Sequence, residues 1–132
     1  MELVTTKLCL ASDIGIHGNM FGGKMLSLID EAAAAYVSQY CETPRMVTIK
    51  MDEVIFKKPV KKGNQLKLYA DITTIGRTSI VVYIEVRRYN VYTAEEIVSC
   101  STKCTFVRID EEGNSIPISD RIKEKLKKTT IL

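Results

Sequence analysis

The sequence predicts an α+β fold in which one curved antiparallel β-sheet wraps one long central helix. Residues 24–40 contain four consecutive alanines and neither glycine nor proline, which is typical of a helix of roughly five turns. A short β-prone segment precedes this helix, and four strand-like segments follow it, most of them alternating apolar with polar residues. This order of elements leaves a single sheet to wrap a single helix.

The length and composition of the chain fit one globular domain. With 132 residues, of which 45% are hydrophobic and 27% charged, the chain can bury roughly two thirds of its unfolded surface. We predict that residues 1–118 form this domain and that residues 119–132 form a basic C-terminal tail or a short helix.

The first third of the chain is predicted to contain a strand, a loop and the central helix. Residues 2–10 are β-prone, and residues 13–23 include four glycines, which favour an irregular loop whose backbone can approach another group closely. Apolar side chains cover most of the helix and leave a narrow polar strip of Lys24, Glu31 and Ser38. Other elements must therefore surround this helix.

Asp30 does not lie in the middle of that polar strip. Its neighbours three, four and seven residues away are apolar or small, so a carboxylate stands where a hydrophobic residue is expected. An unpaired buried carboxylate is costly, and such groups are kept mainly where they are paired, bind a metal or take part in chemistry. The helix pattern alone equally allows a half-exposed Asp30 beside Glu31.

The rest of the chain predicts four strands joined by turns. Residues 61–64 are expected to form a tight hairpin turn, and residues 76–77 the next turn. Pro59 is expected at the edge or the end of its strand. The predicted strands are residues 46–60, 65–75, 79–89 and 96–109, followed by a loop at 110–118.

Composition excludes several classes of protein. No apolar run approaches the roughly 20 residues of a membrane span, and the N-terminus lacks the pattern of a secretory signal. The four cysteines include no C-x-x-C pair and the chain has one histidine, so neither a disulfide framework nor a Cys/His zinc site is expected. The net charge of +3 is concentrated in residues 57–62 and 121–128, a local basic rim. We expect a soluble cytoplasmic protein with reduced thiols and with no nucleic-acid or membrane partner.

The edges of the predicted sheet favour self-association. One helix cannot cover both ends of such a sheet, so long edge strands with unpaired backbone groups remain exposed in a monomer. Pairing of these edges across a two-fold axis is therefore expected.

Short motifs run in a fixed order through most of the chain. They are GNMFGG at 18–23, LIDE at 28–31, Val47 with Thr48, Asp52, FKKPV at 56–60 with Gly63, GRTS at 76–79, and TFV at 105–107 before Asp110 and Gly113. Together they resemble the acyl-CoA thioesterases of the hot-dog fold, in the branch that includes bacterial YciA-type enzymes and the two-domain mammalian brain acyl-CoA hydrolase. The resemblance implies a dimer, further assembled into a hexameric trimer of dimers, that hydrolyses fatty acyl-CoA to free fatty acid and CoA.

The resemblance also implies catalytic roles. Asp30 matches the family's catalytic carboxylate, a general base on water or a nucleophile that gives a mixed anhydride. Asn19 matches the second catalytic position, where an amide orients water or the thioester; the structural alternative is a capping Asn. Free N–H groups of Gly22 and Gly23 would polarise the thioester carbonyl, although a tight turn also favours glycine. Thr48 is expected to hydrogen-bond near Asp30, or simply to be a β-branched strand residue.

A second set of residues is implied to bind coenzyme A. Arg77, Thr78 and Ser79 stand at the strand start where related proteins hold the pantetheine and the phosphates. Lys57 and Lys58 add positive charge for the phosphates. Polar and charged residues are common in hairpin turns of any protein, and this explains the presence of these five residues almost as well. No metal or redox cofactor is expected, because coenzyme A is part of the substrate and product.

Helix geometry predicts that two subunits share each site. Gly22 and Asp30 are eight residues apart, which corresponds to roughly 12 Å along one helix. A thioester carbonyl held at the helix start is therefore out of reach of Asp30 in the same chain. A two-fold dimer with antiparallel helices solves this by placing one helix start beside the partner's Asp30.

Two other functions exist on the same fold. One is a regulator that binds acyl-CoA or a nucleotide without turnover; the presence of both Asn19 and Asp30 favours the enzyme instead. The other is hydration of an enoyl thioester, which uses a catalytic histidine paired with an acid. His17 is the only histidine, and it lies in a loop without that motif.

Overall fold

The computed structural model of the protein describes residues 1–131. It contains a five-stranded antiparallel sheet packed against one long helix, so the predicted α+β architecture is confirmed. The elements are β1 (Glu2–Leu8), a short 3-10 helix (Ala11–Asp13), α1 (Gly22–Cys41), β2 (Met46–Phe56), β3 (Gln65–Ile75), β4 (Ser79–Tyr89), β5 (Glu96–Arg108) and α2 (Asp120–Ile131).

The strands are arranged in the order β1-β3-β4-β5-β2, and every neighbouring pair is antiparallel. The prediction of a hairpin at residues 61–64 is therefore wrong. These residues do form a tight turn, in which Asn64 N–H donates to Lys61 O at 3.0 Å and Gly63 has a φ of +90°. However, the turn leads from β2 on one edge to β3 near the other edge, because local turn chemistry does not specify which strands pair.

Two strands end two or more residues earlier than predicted, and β5 ends one residue earlier, at Arg108. After Phe56, the N–H groups of Lys57 and Lys58 both donate to Ser99 O, and Pro59 has no N–H to continue a ladder. At the end of β1, Cys9 N–H donates to Asn64 O at 2.9 Å, so this residue pairs with the turn instead of with β3. The Cys9 contact places the turn at 61–64 close to the loop that precedes α1.

The core lies between α1 and the concave face of the sheet. Met25, Ile29, Ala32, Ala33 and Val37 of α1 are buried there. They belong to one cluster with alternate residues of the central strands, including Leu66, Leu68, Ile80, Val82, Ile84 and Phe106. On the opposite face of α1, Lys24 and Glu31 are exposed as predicted, whereas Ser38 is half-buried.

The C-terminal segment forms α2, and this helix joins the same core. Ile122 is 1% exposed, and Leu126 packs against the buried cluster. The division of the chain at residue 118 stays a prediction. Within residues 1–131, neither helix is long and apolar enough to cross a membrane.

Strand β2 is an exposed edge of the sheet. Only its first residue, Met46, is buried. Large apolar side chains are exposed along the strand, at Val47, Ile49, Ile55 and Phe56. Unpaired backbone groups beside an apolar edge favour pairing with another chain.

Candidate active site

A buried carboxylate fixes the loop that precedes α1. Asp13 Oδ2 accepts hydrogen bonds from Leu10 N–H and from Lys7 Nζ, both at 2.9 Å. The Leu10 N–H and then the Lys7 ammonium hold the pKa of Asp13 below its usual range. The backbone oxygen of Asp13 accepts a hydrogen bond from Phe21 N–H at 2.9 Å. The residue directly before α1 is therefore bonded to the backbone of Asp13.

The first turn of α1 presents free amides. Phe21 is the N-cap and makes no side-chain capping bond. Within residues 1–131, the N–H groups of Gly22 and Gly23 have no acceptor, as expected for the first amides of a helix. A Cβ on Gly23 would lie 2.7 Å from the Phe21 ring, so glycine is required unless that ring moves. These two amides can bind an oxyanion.

Asn19 lies half-buried beside this helix start. Its Oδ1 accepts a hydrogen bond from Lys61 Nζ at 2.8 Å. Because Phe21 is the N-cap, Asn19 does not cap α1, and the alternative of a helix N-cap is excluded for this side chain. A cavity of about 300 Å³ opens here, lined by Asn19, Met20, Gly22, Met25, Phe56, Lys57, Lys58, Pro59 and Val60.

Asp30 is half-buried and hydrogen-bonded. Thr48 Oγ1 donates to Asp30 Oδ1 at 2.6 Å, so the predicted proximity of these two residues is present. A separate cavity of about 360 Å³ opens beside the carboxylate, lined by Leu26, Ser27, Asp30, Thr48, Ile49, Lys50 and Met51. Burial, with a smaller contribution from the Asp30 carboxylate, raises the pKa of the nearby Cys104 thiol to about 12.

Arg77, Thr78 and Ser79 lie at the turn between β3 and β4. Their backbone oxygens are used to fix this turn to the chain around it: Gly76 N–H donates to Ser79 O, Arg108 N–H to Thr78 O, and Ile118 N–H to Arg77 O. The side chain of Arg77 forms no ion pair in the described part of the chain.

One chain does not bring all of the predicted coenzyme A residues together. Ser79 pairs with Val107 near the end of β5, whereas Lys57 is bonded to Ser99 near its start. Eight residues of strand separate these two points, which corresponds to roughly 26 Å.

The predicted residues therefore form two groups at opposite ends of the sheet. The helix-start group consists of Asn19, Gly22, Gly23, Lys57 and Lys58. The carboxylate group consists of Asp30 and Thr48, with Arg77, Thr78 and Ser79 at the same end of the sheet, because Thr48 pairs with Phe106 and Ser79 with Val107. Neither group alone contains an oxyanion site, a carboxylate and both sets of cations.

The largest of the described cavities lies elsewhere. It has a volume of about 960 Å³ and runs between β1 and the outer face of α1. None of the predicted site residues lines it. Tyr36 lies in this groove, and burial raises its pKa to about 12. The Asp30 carboxylate and the free Gly22 amide instead line the two smaller cavities described above.

Sequence reasoning missed one contact in the site. Lys61 is bonded to Asn19, but these residues are 42 positions apart and the contact depends on the path from β2 to β3. Four lysines stand in residues 57–62, and nothing in that pattern distinguishes Lys61 from its neighbours.

Comparison with known proteins identifies the family. The model of the thioesterase superfamily matches residues 17–95, a segment that includes Asn19, Asp30 and Arg77. The chain is 30% identical over 122 residues to the acyl-CoA thioester hydrolase YciA of Salmonella typhimurium, covering 89% of this chain and 90% of that protein. The protein therefore belongs to the thioesterase superfamily, and the resemblance inferred from its motifs is confirmed.

Two solved structures share the whole architecture. A hexameric hotdog fold thioesterase of Campylobacter jejuni superimposes with a TM-score of 0.84 at 33% identity, covering 95% of this chain and 96% of that one. An acyl-CoA hydrolase of Staphylococcus aureus, in complex with butyryl coenzyme A and coenzyme A, superimposes with a TM-score of 0.82 at 26% identity, covering 96% and 87%.

Proposed function

We propose that this protein hydrolyses fatty acyl-CoA thioesters to the free acid and coenzyme A. The observation that carries the proposal is the half-buried Asp30 carboxylate, which is held by Thr48 beside an open cavity on a helix whose first amides are free. The complex of the Staphylococcus aureus relative with butyryl coenzyme A supports this substrate class. The reaction needs no further cofactor, since coenzyme A enters with the substrate.

Each proposed site is shared by two chains. A carbonyl bound at Gly22 and Gly23 lies roughly 12 Å along α1 from Asp30 of the same chain, too far for a group that must come within about 3 Å of the reacting atoms. Antiparallel α1 helices across a two-fold axis set the helix-start group of one chain beside Asp30 of its partner. The same operation brings Lys57 and Lys58 of one chain towards Arg77 of the other.

The β2 edge is the proposed dimer contact. It is long and exposed, with several large apolar side chains, and it contains Thr48, which is hydrogen-bonded to Asp30. Edge-to-edge pairing would bury Ile49 and satisfy free backbone groups. The hexameric state of the Campylobacter jejuni relative supports further assembly of three such dimers.

The chemistry follows from charges that develop at the carbonyl. In the general-base route, Asp30 takes a proton from water while the water oxygen bonds to the carbonyl carbon, and the negative charge on oxygen is met by the amides of the helix start. The C–S bond then breaks, and the proton on Asp30 passes to the leaving thiolate. In the nucleophilic route, Asp30 bonds to the carbonyl carbon itself, and the C–S bond breaks to release the coenzyme A thiolate. Water then hydrolyses the resulting anhydride, which frees the acid, regenerates the Asp30 carboxylate and supplies the proton that the thiolate takes up.

The proposed location is the cytoplasm. All four cysteines are free and buried, which is the state expected in a reducing compartment.

Thiol release from a panel of acyl-CoAs, followed with a thiol reagent, tests the proposal directly. The protein's own thiols will interfere little, because all four are buried and burial raises the pKa of each. Release that is faster than the uncatalysed reaction and that disappears in Asp30→Asn is the expected result. Binding of acyl-CoA without any release of thiol would show that the protein is not an enzyme and would favour the alternative function, a regulator that binds acyl-CoA or a nucleotide without turnover.

A further inference from the structure

The backbone brings Asn19 and Lys61 side by side. Met20 N–H donates to Val60 O at 2.6 Å, and these are the residues that directly follow Asn19 and directly precede Lys61. Asn19 is fixed from the other side as well, since its own backbone oxygen accepts from Gly15 N–H at 2.8 Å. The backbones of Asn19 and Lys61 are therefore held at a fixed distance from each other, and this distance brings the two side chains within reach.

The backbone of Lys61 is fixed in turn by the tight turn that it opens. Lys61 N–H donates to Asn64 Oδ1 at 2.8 Å, and Lys61 O accepts from Asn64 N–H at 3.0 Å. Gly63 N–H donates to Cys9 O and Cys9 N–H donates to Asn64 O, which attaches the turn to the end of β1. Only the side chain of Lys61 is free to move, and the structure places its Nζ 2.8 Å from Asn19 Oδ1.

The chemistry of the lysine decides which way the amide faces. An ammonium group has three donors and no acceptor, so it can bond only the oxygen of an asparagine amide. With Oδ1 directed at Lys61, the Nδ2 group with its two N–H donors points away from it. We propose that Lys61 is a positioning residue that holds Asn19 with Nδ2 towards the thioester carbonyl, so that Asn19 donates to the oxyanion together with the helix-start amides.

The charge of Lys61 adds to this orientation. Lys61 forms no ion pair within residues 1–131, and no acidic side chain lines the cavity that contains Asn19. A cation bonded to Oδ1 polarises the amide and strengthens its N–H donors. The inference rests on the proposed function, in which Asn19 belongs to the site, and it selects the role that binds the thioester over the role that orients water.

Replacement of Lys61 distinguishes an effect of its hydrogen bond to Asn19 from an effect of positive charge in this turn. We expect Lys61→Met to lower kcat by about three- to tenfold, the loss of one charge-assisted hydrogen bond at a partly exposed position, with KM for acyl-CoA changed by less than about twofold. Lys61→Arg keeps a donor for Oδ1 and should retain most of kcat. Lys62→Met is the matched control, because Lys62 is an exposed neighbour in the same turn. It should leave both constants near those of the wild type.

A truncated substrate distinguishes Lys61 from a phosphate-binding lysine. A butanoyl thioester of N-acetylcysteamine has the reacting group but no phosphates. If Lys61 acts through Asn19, Lys61→Met slows this substrate by the same factor as butanoyl-CoA. An effect that is confined to butanoyl-CoA and that appears in KM would overturn the proposal.

A double-mutant cycle completes the test. Once Asn19→Ala has removed the amide, Lys61→Met should cause no additional loss of kcat, because the two residues act as one unit. Additive losses would mean that Lys61 acts independently of Asn19. Full activity of Asn19→Ala would instead remove Asn19 from the site and overturn this inference with it. An inactive Asn19→Ala beside a fully active Lys61→Met would overturn the role of Lys61 alone.

Discussion

Thr48 Oγ1 donates a hydrogen bond to Asp30 Oδ1 at 2.6 Å, which joins the exposed edge strand β2 to the central helix. Asp30 Oδ2 has no hydrogen-bond partner within residues 1–131, and Asp30 lines the adjoining cavity. A carboxylate that is held by one oxygen and free at the other is suited to accept a proton or to attack a carbonyl.

Loss of the Thr48 hydroxyl should reduce turnover without abolishing it. We expect Thr48→Val, which keeps the β-branched shape, to lower kcat by roughly tenfold, because Asp30 loses the bond that orients it. KM for acyl-CoA should change little. Steady-state rates of thiol release measure both constants. Thr48→Ser retains the hydroxyl and is the control; a Thr48→Val enzyme as fast as Thr48→Ser would contradict the orienting role.

Removal of the Asp30 carboxylate should abolish hydrolysis. We expect Asp30→Asn to lower kcat by about 10²- to 10⁴-fold, the usual effect of removing one acid–base group. Circular dichroism and calorimetric titration with CoA should be close to those of the wild type, because Asp30 is only half-buried. Wild-type turnover in Asp30→Ala would remove this residue from the mechanism.

The proposed coenzyme A residues should affect binding more than turnover. Phosphate contacts far from the thioester stabilise the ground state and the transition state equally, so Arg77→Ala, or Lys57 and Lys58 both replaced by Ala, should raise KM with little change in kcat. The KM of the wild type should also rise with salt, since exposed charge pairs are screened. If kcat falls while KM is constant, these side chains lie at the reacting atoms instead.

Two strongly impaired variants should restore activity in a mixture. Asn19→Ala and Asp30→Ala chains, unfolded together and refolded, should pair at random, so that half of the dimers are mixed and each mixed dimer has one intact site of two. About a quarter of wild-type activity should return. Mass spectrometry under native conditions verifies that mixed dimers form. Their formation without any recovered activity would show that Asn19 and Asp30 act within one chain.

The bonds to Asp13 should make stability depend on pH. Its pKa is lowered in the folded chain, so its stabilising contribution is complete above the unfolded value of about 3.9 and is lost as the pH falls through the folded pKa. Asp13→Asn should therefore reduce the free energy of unfolding by about 1–3 kcal/mol at pH 7, and by less at pH 3. Urea unfolding at the two pH values measures this. Asp71→Asn, at an exposed position of β3, should change the free energy by less than about 0.5 kcal/mol.

Local patterns in the sequence were sufficient for most elements. The bounds of β3 and β4 are those predicted from alternation, because both strands bury one face on the core and place polar side chains on the other. The helix was predicted from its alanines and its lack of breakers, although it starts two residues earlier, at Gly22. The contact of Thr48 with Asp30 was also anticipated.

Pairing between distant parts of the chain was not predictable in the same way. Residues 61–64 have the composition of a hairpin turn, yet β2 pairs with β5, and the alternation within a strand does not encode its partner. The contact of Lys61 with Asn19 depends on that pairing. The distance of roughly 26 Å between Lys57 and Ser79 also follows from strand register, and no local motif specifies that register.

The separation of the helix-start group from the carboxylate group has a consequence for how activity depends on concentration. If each site needs one group from each of two chains, an isolated chain has no complete site, and catalysis appears only with association. By mass action, the specific activity then falls on dilution towards the dissociation constant of the dimer, and the initial rate approaches the square of the chain concentration. Substrate that binds across both chains opposes this loss, so acyl-CoA should itself promote assembly of the enzyme.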